Sequence, residues 1–157
     1  MEVAGLPLHP LVVHAAVVLT PLAVLFVVAY ALLPRQRWLT RWPTAVVTGA
    51  ALVSVWVSRL SGESLARSNP GLQQLVVNHE RQAERLSLLM VGLAVAVAVG
   101  VWTLGGPSAL TSGAGARQGR LPGGFDKVLQ VVLVVAAAVV LVAVVLTGDS
   151  GTRAVWG

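Results

Sequence analysis

A chain of 157 residues that is 56% hydrophobic and 11% charged, with a mean hydropathy of +0.82, lies far from the roughly 25% charged content of soluble domains and reads as an integral membrane protein. The length suits one compact domain with no separate soluble module. The absence of cysteine excludes disulfides, thiolate metal sites and cysteine-held iron–sulfur clusters within it.

Residues 11–33 form the first apolar run, long enough to cross a hydrocarbon core of about 30 Å. Met1 to Val3 carry no Lys or Arg, so this run is expected to stay attached as a helix rather than serve as a secretory signal. Pro10 suits an early helical position, and Pro21 lies inside the run. Tyr30, Trp38 and Trp42 mark the far interface. A basic link with Arg35, Arg37 and Arg41 follows, and Pro43 reads as the first residue of the next helix. The second span is expected over 45–60.

The stretch 61–85 is too polar to span and reads as a connection, although Asn69-Pro70-Gly71 has the form of a cap and of a helix start that could run straight into the third span and carry His79. The third span is expected over 86–104, with Gly92, Ala96 and Gly100 as a stripe for close helix contact. Gly-rich 105–124 has the composition of a flexible loop. Asp126 can cap a fourth span over 128–147.

Four spans make an all-α integral membrane four-helix bundle with both termini on one side. On that side Arg59, Arg67, Arg81, Arg85 and Arg153 balance Glu2, Glu63, Glu80, Glu84 and Asp149. Arg35, Arg37, Arg41, Arg117, Arg120 and Lys127 face only Asp126 on the other, which accounts for the net +5. Basic loops favour the cytoplasm, so the termini are expected outside it, as in a multi-pass inner-membrane protein. The charge then meets anionic lipid and calls for no nucleic-acid partner.

Counting spans brings His9, His14, Glu63, His79, Glu80, Glu84 and Asp149 to the termini side. Each half of the chain reads histidine, span, span, Gly-acid-Ser, at Ser61-Gly62-Glu63-Ser64 and Gly148-Asp149-Ser150-Gly151. This suggests two related helix pairs about an axis along the membrane normal. Gly62 and Gly148 suit C-terminal caps. Glu63 and Asp149 would then face the negative end of a helix dipole and need a cation, either a bound metal or Arg59 and Arg153.

Histidine nitrogens with carboxylate oxygens suit zinc, iron, copper or manganese. The candidate metal ligands are His9, His14, Glu63, His79 and Asp149, with Glu80 and Glu84 second. His14 lies five residues after His9 and points about 140° away on a helix, so the two do not form an adjacent-turn pair. The other use of membrane histidines is a b-type haem held by two imidazoles from facing helices, but His14 and His79 begin at different depths. No catalytic triad order, phosphate loop or calcium loop is present. The leading expectation is electron transfer at a metal or haem site, in contact with a redox protein or larger membrane complex. The alternative is an accessory or structural subunit in which these groups form a polar network.

Leu8-His9-Pro10 with Val13-His14, Ser61-Gly62-Glu63-Ser64-Leu65, His79-Glu80, and Gly148-Asp149-Ser150-Gly151 leading to Ala154-Val155-Trp156 together resemble the bacterial membrane family called domain of unknown function 2231, over nearly the whole chain. The resemblance implies a four-helix inner-membrane protein. Some similar proteins are joined to a Rieske-type iron–sulfur domain, which implies electron transfer; this chain carries no Rieske portion.

Overall fold

The computed structural model describes residues 2–3, 6–68, 70–104 and 124–156. A two-residue antiparallel ladder, β1 (Glu2–Val3) with β2 (Leu6–Pro7), precedes the bundle. Four helices follow: α1 (Leu8–Leu32), α2 (Arg37–Ser68), α3 (Pro70–Thr103) and α4 (Phe125–Trp156), with a single 3-10 turn at Pro34–Gln36 between the first two. Each contains a stretch long and apolar enough to cross a membrane. The large exposed side chains along them, such as Leu25, Val53, Val95 and Val142, are the apolar ones that lipid would cover. Because four helices alternate in direction, the start of α1 and the end of α4 lie at one end of the bundle. The loop expected over 105–124 falls, up to residue 123, outside the described residues.

The polar stretch 61–85 is helical on both sides of position 69: α3 begins where Asn69-Pro70-Gly71 places a helix start, and α2 continues beyond its expected end at 60. Helix α2 runs to Ser68 and α3 starts at Pro70, so only position 69 separates them. Arg59 and Arg67 both contact Glu63 from one helical turn away, at 3.0 and 3.4 Å, and such pairs support a helix where the apolar stripe gives out. Pro70 as the first helical residue costs no hydrogen bond. Pro43 is likewise not a helix start but lies inside α2, six residues after Arg37.

The core is built on heptad-like spacing. Helix α1 buries Ala16, Thr20, Ala23, Val27 and Ala31, and α3 buries Leu86, Met90, Leu93, Val97 and Val101, each 70 residues later. Helix α2 buries Thr44, Thr48, Ala51 and Val55, and α4 buries Leu133, Ala137, Val140 and Val144, each 89 residues later. The two halves therefore present the same faces inward. Within each half the helices pack closely, α1 on α2 and α3 on α4, while α1 against α4 is the least extensive contact in the ring of four.

Two expected interface features are placed differently. Tyr30 is wholly buried, and its hydroxyl donates to the Gly100 carbonyl at 2.9 Å. Arg37 is also buried: its guanidinium donates to the Tyr30 and Ala31 carbonyls at 3.1 and 3.3 Å, meeting the open carbonyls and negative dipole at the end of α1. Trp38 and Trp42 are exposed at that end, as an aromatic belt requires. Of the expected small-residue stripe, Gly92 is exposed with open space beside it, because the buried face of α3 runs through Leu93 and Val97 instead.

Candidate functional site: a pair of clamped histidines

His9 stands in the first turn of α1 and is half-buried. Its Nδ1 lies 3.0 Å from the Ser58 carbonyl and 3.2 Å from the Ser61 hydroxyl on α2. A carbonyl only accepts, so Nδ1 carries the ring hydrogen and the neutral imidazole keeps its lone pair at Nε2. The Ser61 hydroxyl donates to the same Ser58 carbonyl at 2.9 Å, which leaves its oxygen free to accept from Nδ1. Beside this ring is Gly62, where an added Cβ would come within 2.9 Å of Cε1 and 3.2 Å of Nδ1. Any side chain there would drive the imidazole from its place.

The other half repeats this arrangement. His79 Nδ1 donates to the Thr147 carbonyl at 3.1 Å and lies 3.4 Å from the Ser150 hydroxyl. Ser150 donates to the Thr147 carbonyl at 2.8 Å. A Cβ on Gly151 would lie 3.2 Å from both Cε1 and Nδ1 of His79. Ser58, Ser61 and Gly62 match Thr147, Ser150 and Gly151, each 89 residues later, and His9 matches His79 with the offset of the α1 and α3 cores. The recurring element is thus Ser/Thr-x-x-Ser-Gly facing a histidine, three residues out of register with the Gly-acid-Ser echo in the sequence. Neither Gly62 nor Gly148 is a C-cap: each lies inside its helix, and nothing crowds Gly148.

Both imidazoles line one cavity of about 140 Å³, walled by all four helices. Its wall is chiefly apolar, with Val13, Ala16, Val55, Leu86 and Val144 among the lining residues, while Arg59, Glu63 and Glu80 also border it. His9 lies ahead of the α1 span. Burial lowers its pKa from 6.5, the bond to the Ser58 carbonyl opposes that shift, and the charge of His79 lowers it further. The His79 ring is therefore close enough to disfavour protonation of His9.

The remaining sequence candidates divide. Glu63 borders the cavity but is held by Arg59 and Arg67. Arg59 lies over the Trp56 ring, 5.6 Å from its centroid, and reaches Glu84 at 3.8 Å. Asp149 is exposed and bound by Arg153 at 2.8 Å, and it does not line the cavity. The cations that meet both acids are thus arginines one helical turn away. His14 is exposed on α1 and absent from the cavity wall. Glu80 borders both the cavity and the charged groove beside it, and Glu84 only the groove. Among the described residues no group of three or more His, Asp or Glu is placed to hold a metal ion.

A family model described as a predicted membrane protein, DUF2231, matches residues 5–157. The chain belongs to the DUF2231 family. No curated protein and no solved structure matches this DUF2231 chain. The residues that sequence reasoning missed are Ser58, Thr147 and Gly151 as parts of the clamps. Their signal was present: Ser-Arg-Leu-Ser-Gly at 58–62 and Thr-Gly-Asp-Ser-Gly at 147–151.

The donor set bears on what could be held. Two imidazoles leave a lone zinc ion short of its usual four ligands. His9 and His79 would be the residues to hold a b-type haem, the other group that membrane histidines serve. The depth mismatch between His14 and His79 also falls away. The ring that shares the cavity with His79 is His9, at the same level of its own helix pair.

Proposed function

We propose that this membrane bundle binds one b-type haem between His9 and His79 and acts in electron transfer, with a redox protein or a larger membrane complex as partner. The observation that supports this reading is the pair of clamps: each Nδ1–H is tied to a helix carbonyl, and both imidazoles line one shared, chiefly apolar cavity. A hydrogen-bonded Nδ1 fixes the tautomer and raises the basicity of Nε2, which is the usual arrangement of a metal-ligating histidine. The chiefly apolar wall, with Arg59, Glu63 and Glu80 at its border, would lower the dielectric around a bound group. The haem would supply a reversible one-electron couple; the chain supplies ligation, orientation and a low-dielectric surround.

A cavity of about 140 Å³ is close to the roughly 150 Å³ that holds a benzene ring, so a porphyrin enters only as the bundle widens. The basic groups Arg35, Arg41 and Lys127 stand at the opposite end from the clamps, which supports an extracytoplasmic clamp end.

The test is an absorption spectrum of protein purified without a histidine tag, before and after titration with haem b. A Soret band of low-spin, six-coordinate type at one haem per chain is expected. Its absence, with no uptake on titration, overturns the reading. A second reading is then favoured by the arginine pairing of Glu63 and Asp149: the clamps serve as polar cross-links of an accessory subunit. Under it, His79→Ala lowers the melting temperature and no cofactor is lost.

A further inference from the structure

We infer that the charged groove between α2 and α3, beside the clamps, binds the headgroup of a zwitterionic phospholipid that carries a primary amine, namely phosphoethanolamine. The groove encloses about 610 Å³, within the roughly 300 to 1,000 Å³ of ligand sites and more than a lone ion needs. Arg59, Arg67 and Arg81 line it together with Glu63, Glu80 and Glu84. Three guanidinium groups thus stand against three carboxylates, and the groove is neutral as a whole while presenting both signs. A purely anionic headgroup would meet the carboxylates with nothing to offset them. A phosphate joined to an ammonium group satisfies both sets.

The charges only partly satisfy one another. Glu63 takes Arg59 and Arg67, at 3.0 and 3.4 Å, and Arg59 approaches Glu84 no closer than 3.8 Å. Among the described residues Glu80 and Arg81 make no ion pair. Glu80 and the 59% exposed side chain of Glu84 are therefore open to an ammonium, and Arg81 with the 78% exposed Arg67 to a phosphate. Guanidinium groups match phosphate oxygens two at a time. Carboxylates need N–H donors, which a primary ammonium supplies and a quaternary choline does not.

Depth selects a lipid over a soluble zwitterion. Arg59 lies over the Trp56 ring, 5.6 Å from its centroid, and tryptophan beside an arginine marks the headgroup level of a bilayer. One turn beyond Glu84 on the same stripe of α3 is Leu88, 62% exposed. The groove thus runs from charged side chains directly onto lipid-facing apolar surface, where acyl chains attached to the headgroup would lie. Nothing in this site depends on what fills the cavity between the histidines.

The experiment is native mass spectrometry of the full-length, cofactor-free protein in detergent, titrated separately with dioleoyl phosphatidylethanolamine, phosphatidylcholine and phosphatidylglycerol, and with water-soluble O-phosphoethanolamine. The phosphatidylethanolamine arm should bind at least about threefold tighter than the other two lipids, and O-phosphoethanolamine should not bind at the same concentrations. Glu80→Gln and Arg81→Gln should each weaken phosphatidylethanolamine binding about three- to fivefold, the scale of one exposed charge contact. Glu80→Gln should also narrow the gap to phosphatidylglycerol. Arg153→Gln, whose partner Asp149 lies outside the groove, should change nothing. Both groove residues are exposed, and an unchanged melting temperature without lipid shows that the variants fold; the wild-type lipid series decides by itself if they do not. Equal binding of the three lipids, or preference for phosphatidylcholine or phosphatidylglycerol, overturns the assignment. So does O-phosphoethanolamine binding as tightly as the lipid, which makes the ligand a soluble zwitterion, or wild-type preference in both folded groove variants.

Discussion

The two helix pairs share a frame and differ in what fills it. Both place a histidine against Ser/Thr-x-x-Ser-Gly and bury the same positions, yet the first pair buries Thr20, Thr44 and Thr48 where the second buries Met90, Leu133 and Ala137. The edges differ as well: Arg59 corresponds to Gly148 and Glu63 to Thr152. What is common is what an imidazole requires to be held, namely a carbonyl, a hydroxyl and an absent side chain. What differs is core chemistry that hydrogen bonds or dispersion can each satisfy. The first pair is the more polar; the second buries Ser87 beside a more apolar core and carries the same clamp.

The strongest way to break this comparison is to remove the rings. His9→Ala and His79→Ala should each abolish stoichiometric haem uptake and cost the cofactor-free protein about 1 to 2 kcal/mol for a lost cross-helix hydrogen bond, read by denaturation in detergent. If only one variant loses haem, the clamps are not equivalent. Tyr30→Phe tests the link between the halves. It removes the hydroxyl that reaches Gly100 on α3 and should cost about 1 kcal/mol, in line with buried hydrogen bonds in membrane bundles, with haem uptake unaffected.

The third prediction reverses sign. Among the described residues the buried Thr20 and Thr48 hydroxyls have no hydrogen-bond partner, so Thr20→Val and Thr48→Val should stabilise the protein by about 0.5 to 1 kcal/mol and make the first pair resemble the second. A loss of stability in both would show that the hydroxyls hold something essential. Asp149→Asn removes an exposed ion pair with Arg153 and should change stability by less than about 0.5 kcal/mol; a loss of haem binding would instead return Asp149 to the site.

The last effect is confined to one group. His9 titrates below 6.5 in the folded protein, so on acidification the unfolded imidazole takes its proton first. The stability this contributes is fully present above pH 6.5 and is lost as pH falls through the lowered value. The cavity edge also carries Arg59, His79, Glu63 and Glu80, so the comparison is made between wild type and His9→Gln: the melting temperature of the variant should fall less between pH 7 and 5, as judged by calorimetry of the cofactor-free protein.

Much of this frame was legible in the sequence, and the misreadings have physical causes. Apolar runs located the four helices, because a membrane span is a statement about solvent rather than about detailed packing. The early start of α3 was legible in Asn69-Pro70-Gly71, while the continuation of α2 past 60 was obscured because hydropathy stops reporting helix where the chain leaves the bilayer. The four-residue spacing of Arg59, Glu63 and Arg67 held the missing information. The internal echo was visible but anchored on the acids, which are the eye-catching residues and prove to be arginine partners. The register follows instead from Ser58 and Thr147, whose contribution to the site is a backbone carbonyl. A backbone acceptor has no residue signature, so only the helix-to-helix geometry could reveal it.

The near-absence of a link between α2 and α3 gives the bundle a modular order. Only position 69 lies between Ser68 and Pro70, and the start of α1 and the end of α4 lie at that same end of the molecule. A circular permutant opened at 69 and closed by a flexible linker from α4 to α1 would run α3, α4, α1, α2 and keep every cross-helix bond of both clamps. In that chain, as in this one, each histidine finds its acceptor on the next helix. The unit of this architecture is therefore the hairpin rather than the four-helix whole.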